Sequence, residues 1–390
     1  MSTEIEAEDS QAKVKSLREL LDLVTGRSSQ PDPHQEDSGL ADSLPFPFLA
    51  LVGQSEMKLA LLLSVINPGC GGVLLIGPRG TGKTTAVRSL LDLLPLVNHS
   101  ACFYGCAVED IETGGIDAVC PNCAKKYGLG LSLSREEVSR LVELPLNARL
   151  EDVIGGLDER ALVHERMRLK RGILTQADLN ILYADEVNLL SNEIVDAILD
   201  AAAQGTYTVR RGQNIATYRS RFTLIGSMNP EEGMLRPQIL DRFGLRVIVH
   251  GLENPDQRLL AYQRVQMYRA NPRQIINSYF EETEQARAEI QASRNRLSQV
   301  TISKAAAQVA ISLIRQLQID SLRAEITLFE AARAFAASDS RFEVELNDIR
   351  AVAHMALRLR RSTFMTRYFT DRHEEEQEMS TSIDRLIPES

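Results

Sequence analysis

Val73-Leu74-Leu75-Ile76-Gly77-Pro78-Arg79-Gly80-Thr81-Gly82-Lys83-Thr84-Thr85 decides the fold. From Gly77 to Thr84 it matches G-x-x-x-x-G-K-[ST], the phosphate-binding P-loop. The apolar run Val73–Ile76 reads as a buried strand feeding the loop, and Ala86-Val87-Arg88-Ser89-Leu90-Leu91 reads as the helix that follows it. Gly77, Gly80 and Gly82 let backbone N–H groups turn inward, with Pro78, Arg79 and Thr81 between them and Thr85 just after. The helix N-terminus adds partial positive charge toward a phosphate. In such a loop Lys83 reaches the β- and γ-phosphates and the Thr84 hydroxyl ligates Mg²⁺, so ATP and Mg²⁺ are the expected ligands. A chance glycine loop would have no reason to sit between a strand and a helix.

Further along the chain, Leu179-Asn180-Ile181-Leu182-Tyr183-Ala184 is a second apolar strand, ending in Asp185-Glu186. Its acids are read as a metal-and-base pair: Asp185 holds Mg²⁺ through water and Glu186 polarises the attacking water. The plainer alternative is two surface acids at a strand end. Phe222-Thr223-Leu224-Ile225-Gly226-Ser227-Met228 is a third strand and ends at Asn229-Pro230. Val247-Ile248-Val249 is a fourth, and Asn192 to Gln204 is helical. Strands alternating with helices predict an α/β fold, a parallel sheet with helices on both faces. Arg242 follows a helix and precedes a strand, where a guanidinium could reach a neighbouring subunit's γ-phosphate as an arginine finger. It could equally pair with Asp241 or another acid, and Arg236 is a rival finger.

Composition narrows the function classes. The chain has 390 residues, 44% apolar and 25% charged, with a net charge of −9 and no Trp. That is ordinary for a globular protein with two or three domains. The acidic balance and scarce aromatics disfavour nucleic acid as a partner. No apolar run has the length of a membrane span, and the acidic start (Glu4, Glu6, Glu8, Asp9) is unlike a signal sequence, so a cytoplasmic setting is expected. Four of five cysteines cluster: Cys102-x₃-Cys106, thirteen residues, then Cys120-Pro121-Asn122-Cys123. Two close pairs joined by a short loop suit structural Zn²⁺, against a redox dithiol or unliganded thiols. Cys70 stands apart.

The domain expectations follow. Residues 1–45 are a flexible extension with one amphipathic helix, Ala12 to Val24, and a Pro/Ser/Asp-rich linker. Residues 46–255 form the nucleotide-binding domain, with the Cys-rich insert at 102–123. Residues 256–300 are polar linker helices, and 301–365 a small helical domain with helices at 303–318, 321–337 and 347–362, the last capped by Asn347. Residues 366–390 are an acidic tail. Two basic stretches, the hairpin-like Tyr207–Tyr218 with Arg210 and Arg211 and the run His164–Gly172, are candidates for contact with a partner protein, or simply solvated loops.

Several of these segments together resemble the AAA+ ATPase subunit (subunit I) of magnesium chelatase. They are Phe48–Gln54, the P-loop, Val153–Asp158, Gly172–Leu174, Ala184–Leu190, Asn229–Gly233, Arg236–Gly244 and Leu322–Glu325. The resemblance spans roughly residues 46–360 apart from the cysteine insert. It implies an αβα AAA+ domain followed by an α-helical lid. It also implies a homo-oligomeric ring, usually hexameric, with nucleotide at subunit boundaries. Partners would be an AAA-like subunit with an integrin-type domain and a large chelatase subunit, which together insert Mg²⁺ into protoporphyrin IX. Carried over residue by residue, Val52 and Gly53 would lie near the adenine and Asn229 would be sensor 1. Arg242 would be the finger, and Arg323, otherwise a plain helix arginine, would be sensor 2. The cysteine cluster departs from the pattern. A MoxR-like remodelling ATPase working with an integrin-type partner is the alternative; a nucleic-acid motor is disfavoured.

Overall fold

The apolar run before the P-loop is the second strand of a five-stranded parallel sheet in a computed structural model of the chain. Residues 44–102, 106–157, 169–211, 214–233 and 235–361 are described. In chain order the strands are β1 (Val73–Ile76), β2 (Leu141–Leu144), β3 (Ile181–Ala184), β4 (Thr223–Met228) and β5 (Leu245–Ile248). Their spatial order is β5-β1-β4-β3-β2. β1, β3 and β4 are buried along their whole length, which is why they read as largely apolar runs without alternation. The sequence reading found four of these strands and missed β2. That strand lies at the sheet edge, is partly exposed and carries Glu143, so its apolar signal is weak.

Register brings the chemistry together. Ile76 lies opposite Met228, and Gly226 opposite Ala184. The P-loop, Asp185 and the Ser227–Asn229 segment therefore emerge side by side at the carboxyl edge, where open α/β sheets hold ligands. One face of the sheet (Val73, Leu75, Tyr183, Ile225, Val247) packs on helix α1 (Ser55–Ile66), on α2 (Lys83–Ser89) and on the C-terminal helices. The other face (Leu74, Leu182, Leu224, Met228) packs on α3 (Asn192–Gln204) and α4 (Pro237–Arg242).

Beyond the sheet come α5 (Pro255–Ala270), α6 (Phe280–Leu297), α7 (Lys304–Gln316), α8 (Leu322–Ser338) and α9 (Leu346–Leu357). Small alanines bury α8 among its neighbours: Ala324, Ala331, Ala332, Ala334, Ala336 and Ala337 have no exposure. Asn67, just after α1, donates to the Glu330 backbone and carboxylate at 3.0 and 2.7 Å and fixes α8 to the sheet domain. The expected Asn347 cap is corrected: Glu345 is the N-cap of α9, because Asp348 accepts its N–H at 2.8 Å, and the helix ends at Leu357.

Three antiparallel ribbons project from this body. Leu96–Ser100 pairs with Ser134–Val138 and carries the cysteine loop. Gly155–Leu157 pairs with Leu169–Arg171, and Thr206–Arg211 pairs with Asn214–Arg219 as the hairpin. The Tyr207 and Tyr218 rings stack across that hairpin at 5.6 Å. The N-terminal helix and linker, most of the basic run at 164–172, the hairpin tip at 212–213 and the acidic tail lie outside the described residues.

Candidate active site

The loop backbone is built for close approach. Gly80 and Gly82 have φ of 78° and 85°, and a Cβ on either would meet nothing within 4 Å. They are needed for the left-handed backbone, and the space above them is open. Gly77 is needed for the opposite reason: a Cβ there would lie 2.2 Å from the Val249 carbonyl oxygen. Lys83 Nζ folds back to donate to the carbonyls of Gly77 and Pro78, at 2.7 and 2.9 Å. Burial lowers its pKa, while the charges of Asp185, Glu186 and Glu232 act to raise it. An ammonium so placed, over an open loop with inward N–H groups, suits a polyphosphate.

Asp185 and Thr84 come together from positions 101 residues apart, with Thr84 Oγ1 donating to Asp185 Oδ2 at 3.0 Å. Tyr183 OH donates to Thr84 at 3.2 Å. Ser227 Oγ donates to Asp185 Oδ1, and the Glu186 N–H reaches the same oxygen at 3.2 Å. Burial would raise the Asp185 pKa, but hydrogen bonds from Ser227, Tyr183, Thr84 and the Glu186 backbone outweigh it and hold the carboxyl below its usual value. A hydroxyl and an ionised carboxylate in contact are the donor set for Mg²⁺ beside a nucleotide. Ser227 and Tyr183 escaped the sequence reading. For Ser227 the available signal was a hydroxyl near the end of a largely apolar strand, two residues before Asn229.

Glu186 sits at φ 48°, a left-handed backbone at a non-glycine residue. Its N–H also donates to Ser227 Oγ at 3.1 Å. Its carboxylate pairs with Arg79 at 3.3 Å, and Arg79 also pairs with Glu232. Strain of this sort is held where the surroundings over-determine it, and it clusters at active sites. Asn229 is buried, with its side chain accepting from the Glu231 N–H at 3.3 Å and its carbonyl accepting from Asn188 at 3.3 Å. Asn188 Oδ1 and Glu232 Oε2 are buried with no hydrogen-bond partner, so the pocket has polar capacity to spare.

Gly53, next to Val52 in the chain, lies against the segment that follows β5. A Cβ on Gly53 would lie 2.6 Å from Leu252, and Gln54 donates to the His250 carbonyl at 2.6 Å. The segment that walls Gly77 thus also packs against Gly53. Arg242 and Arg323 are held elsewhere. Arg242 pairs with Asp200 on α3, and its rival Arg236 pairs with Asp196 one turn earlier at 3.4 Å. Arg323 lies 3.8 Å from Asp241, which also takes Arg360 at 2.9 Å, Arg246 at 3.6 Å and the Ser321 hydroxyl at 3.2 Å.

The four clustered cysteines meet in space, with all four Sγ atoms within 4.8 Å of one another. Cys102 Sγ is 3.8 Å from Cys106 Sγ and 3.6 Å from Cys120 Sγ. Tetrahedral zinc with bonds of about 2.3 Å sets sulfurs about 3.8 Å apart. The Cys120 N–H donates to Cys106 Sγ at 3.4 Å, as a thiolate would favour. Burial, then the neighbouring sulfurs, pushes the Cys123 thiol up; at Cys120 hydrogen bonds overcome burial and lower it to about 7. Val119 and Leu133 shield the cluster, and all four thiols are free of disulfides.

Comparison with known proteins agrees with this geometry. The family model for magnesium chelatase subunit ChlI matches residues 154–253, and the AAA lid domain model matches 307–382. A magnesium-chelatase subunit ChlI homolog of Methanocaldococcus jannaschii is 41% identical over 82% of this chain and 87% of its own. Magnesium-chelatase subunit ChlI of Synechocystis is 40% identical over 81% of this chain and 88% of its own. A crystal structure of a putative ATPase from Cytophaga hutchinsonii shares the fold, with TM-score 0.51 and 21% identity over 80% of this chain and 84% of that one. With the nucleotide-binding sheet, the lid and this identity along most of its length, the chain belongs to the magnesium chelatase subunit I family of AAA+ ATPases.

Proposed function

We propose that this chain hydrolyses ATP at the boundaries of a cytoplasmic homo-oligomeric ring, usually a hexamer in its family. That hydrolysis powers Mg²⁺ insertion into protoporphyrin IX by a partner complex. Support for the ATPase step comes above all from the Thr84–Asp185 contact at the carboxyl edge, with Lys83 and Glu186 beside it. Lys83 and the loop N–H groups bind the phosphates. Thr84 and Asp185 hold Mg²⁺, which when bound neutralises charge on the phosphates. Glu186 orients and deprotonates water, and Asn229 positions it. Val52 and Gly53 border the base. Arg242 reaches the nucleotide of the adjoining subunit, and Arg323 reports γ-phosphate to the lid. The four cysteines hold one structural Zn²⁺; with four thiolates the coordination is closed, so this metal takes no part in hydrolysis.

Support for the chelatase reading comes from the names of the relatives, magnesium-chelatase subunits. The partners would then be an integrin-domain AAA-like subunit and a large chelatase subunit. The test is native co-purification followed by reconstitution with protoporphyrin IX and Mg²⁺, read by the shift in porphyrin absorbance and fluorescence. ATP-dependent metallation is expected, and Lys83→Ala should abolish it. Co-purification with an integrin-type protein alone, and no metallation, would replace this reading with a remodelling ATPase.

A further inference from the structure

The ribbon that carries the cysteines leaves the ATPase body at Pro95 and returns at Ser139, whose N–H donates to the Pro95 carbonyl at 3.0 Å. Inside the loop a short helix, Val108–Gly114, begins two residues after Cys106. Asp110 closes its first turn by accepting from the Ala107 N–H at 2.8 Å. The other oxygen of that carboxylate takes the guanidinium of Arg219, the last residue of the hairpin's second strand. Two residues on, Arg221 pairs with Glu109 at 3.3 Å and with Asp178 at 3.4 Å. Between the two arginines lies Ser220, where the hairpin turns into β4. The cysteine module thus grips the root of the hairpin, on the strand that runs on to Ser227 and Asn229.

The two grips differ in strength. Arg219 and Asp110 are 26% and 27% exposed, so removing one partner strands a partly desolvated charge. Arg221 and Glu109 are more exposed, and their pair adds little. Asp110 in turn depends on the thiolate cluster. Its helix is only seven residues long and buries none of them, too short to persist unaided. The chain just before it is fixed at Cys106, whose carbonyl accepts from Ser100 Oγ at 2.6 Å and whose sulfur accepts from the Cys120 N–H at 3.4 Å.

We infer that the metal-loaded cysteine module is a clamp on the Thr206–Arg219 hairpin, and that Asp110 is the residue through which it holds. This rests on the zinc reading above. The hairpin carries exposed Arg210, so the clamp fixes where that charge is held.

Hydrogen exchange on the full-length chain tests it, with zinc content measured on the same samples. In the wild-type protein, stripping zinc with a chelator should speed exchange in Tyr207–Arg219 at least about threefold while β1 and β3 are unchanged. Asp110→Asn should do the same with its zinc retained. Should Asp110→Asn lose zinc, Arg219→Gln, on the hairpin side of the pair, takes its place. A zinc-loaded Asp110→Asn or Arg219→Gln protein with wild-type hairpin exchange overturns the clamp, and so does unchanged exchange after chelation. Less than about half a zinc per purified chain overturns the metal reading on its own, and the charge variants still decide the clamp.

Discussion

Two sets of residues assigned to one reaction are arranged in opposite ways. The Walker set is already assembled: Thr84, Tyr183, Ser227 and the Glu186 backbone all converge on Asp185, and Lys83 lies folded over the loop. The arginine set is held apart. Arg242 is paired on α3 with Asp200, and Arg323 is 3.8 Å from Asp241. The difference teaches where each set gets its partners. Residues at the carboxyl edge are organised by strand register within one chain. Arg242 and Arg323 sit on α4 and α8, outside the sheet, so strand register does not place them; the roles proposed for them call on the lid and a second subunit.

The largest effect tests the preassembled half. Lys83→Ala should lower hydrolysis at least about 10³-fold and weaken ATP binding with it, read by phosphate release and nucleotide titration. If Arg242 acts from the next subunit, as proposed, Arg242→Ala should lower turnover by about 10³-fold while the nucleotide Kd stays within about threefold. Mixing the two inactive variants sharpens the point. A Lys83→Ala subunit can lend Arg242 to a neighbour that retains Lys83, so part of the activity should return. No recovery on mixing, or a fully active isolated monomer, would break the shared-site comparison.

A smaller change is expected at the arginine's resting partner. Asp200→Asn removes an exposed ion pair and should alter turnover by less than about threefold, measured at saturating ATP. The smallest effect is on stability against pH. The Asp185 pKa is lowered from 3.8 in the folded chain. Its ionised form therefore stabilises the fold fully above that value, and the contribution fades as pH falls through the lower folded value. Thermal melts should show Asp185→Asn less stable than wild type near neutrality, with the gap closing in strong acid. A gap that widens in acid would show that Asp185 is not held ionised by its neighbours.

Much of the Walker half could be read from residues alone. Parallel strands buried on both faces leave unbroken apolar runs, and Gly77–Thr84 and Asp185-Glu186 stand at their ends. The clustering of the four cysteines was also visible as two close pairs. What stayed hidden was pairing across the chain. Tyr183 reads as one more core residue until its hydroxyl is seen on Thr84. Edge strand β2 is partly exposed and interrupted by Glu143, so it does not announce itself. Nothing in the spacing of Asp110 and Arg219, 109 residues apart, marks them as partners.

By itself the sequence determined the local devices: a glycine loop that must turn left-handed, apolar strands that must be buried, and carboxylates and thiols at fixed short spacings. These follow from backbone sterics, burial and ligand chemistry, which act over a few residues. Only the tertiary structure decided which devices meet. Register set Ser227 against Asp185, folding of the ribbon closed four sulfurs into one cluster, and packing left Arg242 paired with Asp200 of α3 and Arg323 beside Asp241. Such contacts arise from how separate elements pack, and no stretch of chain encodes them alone.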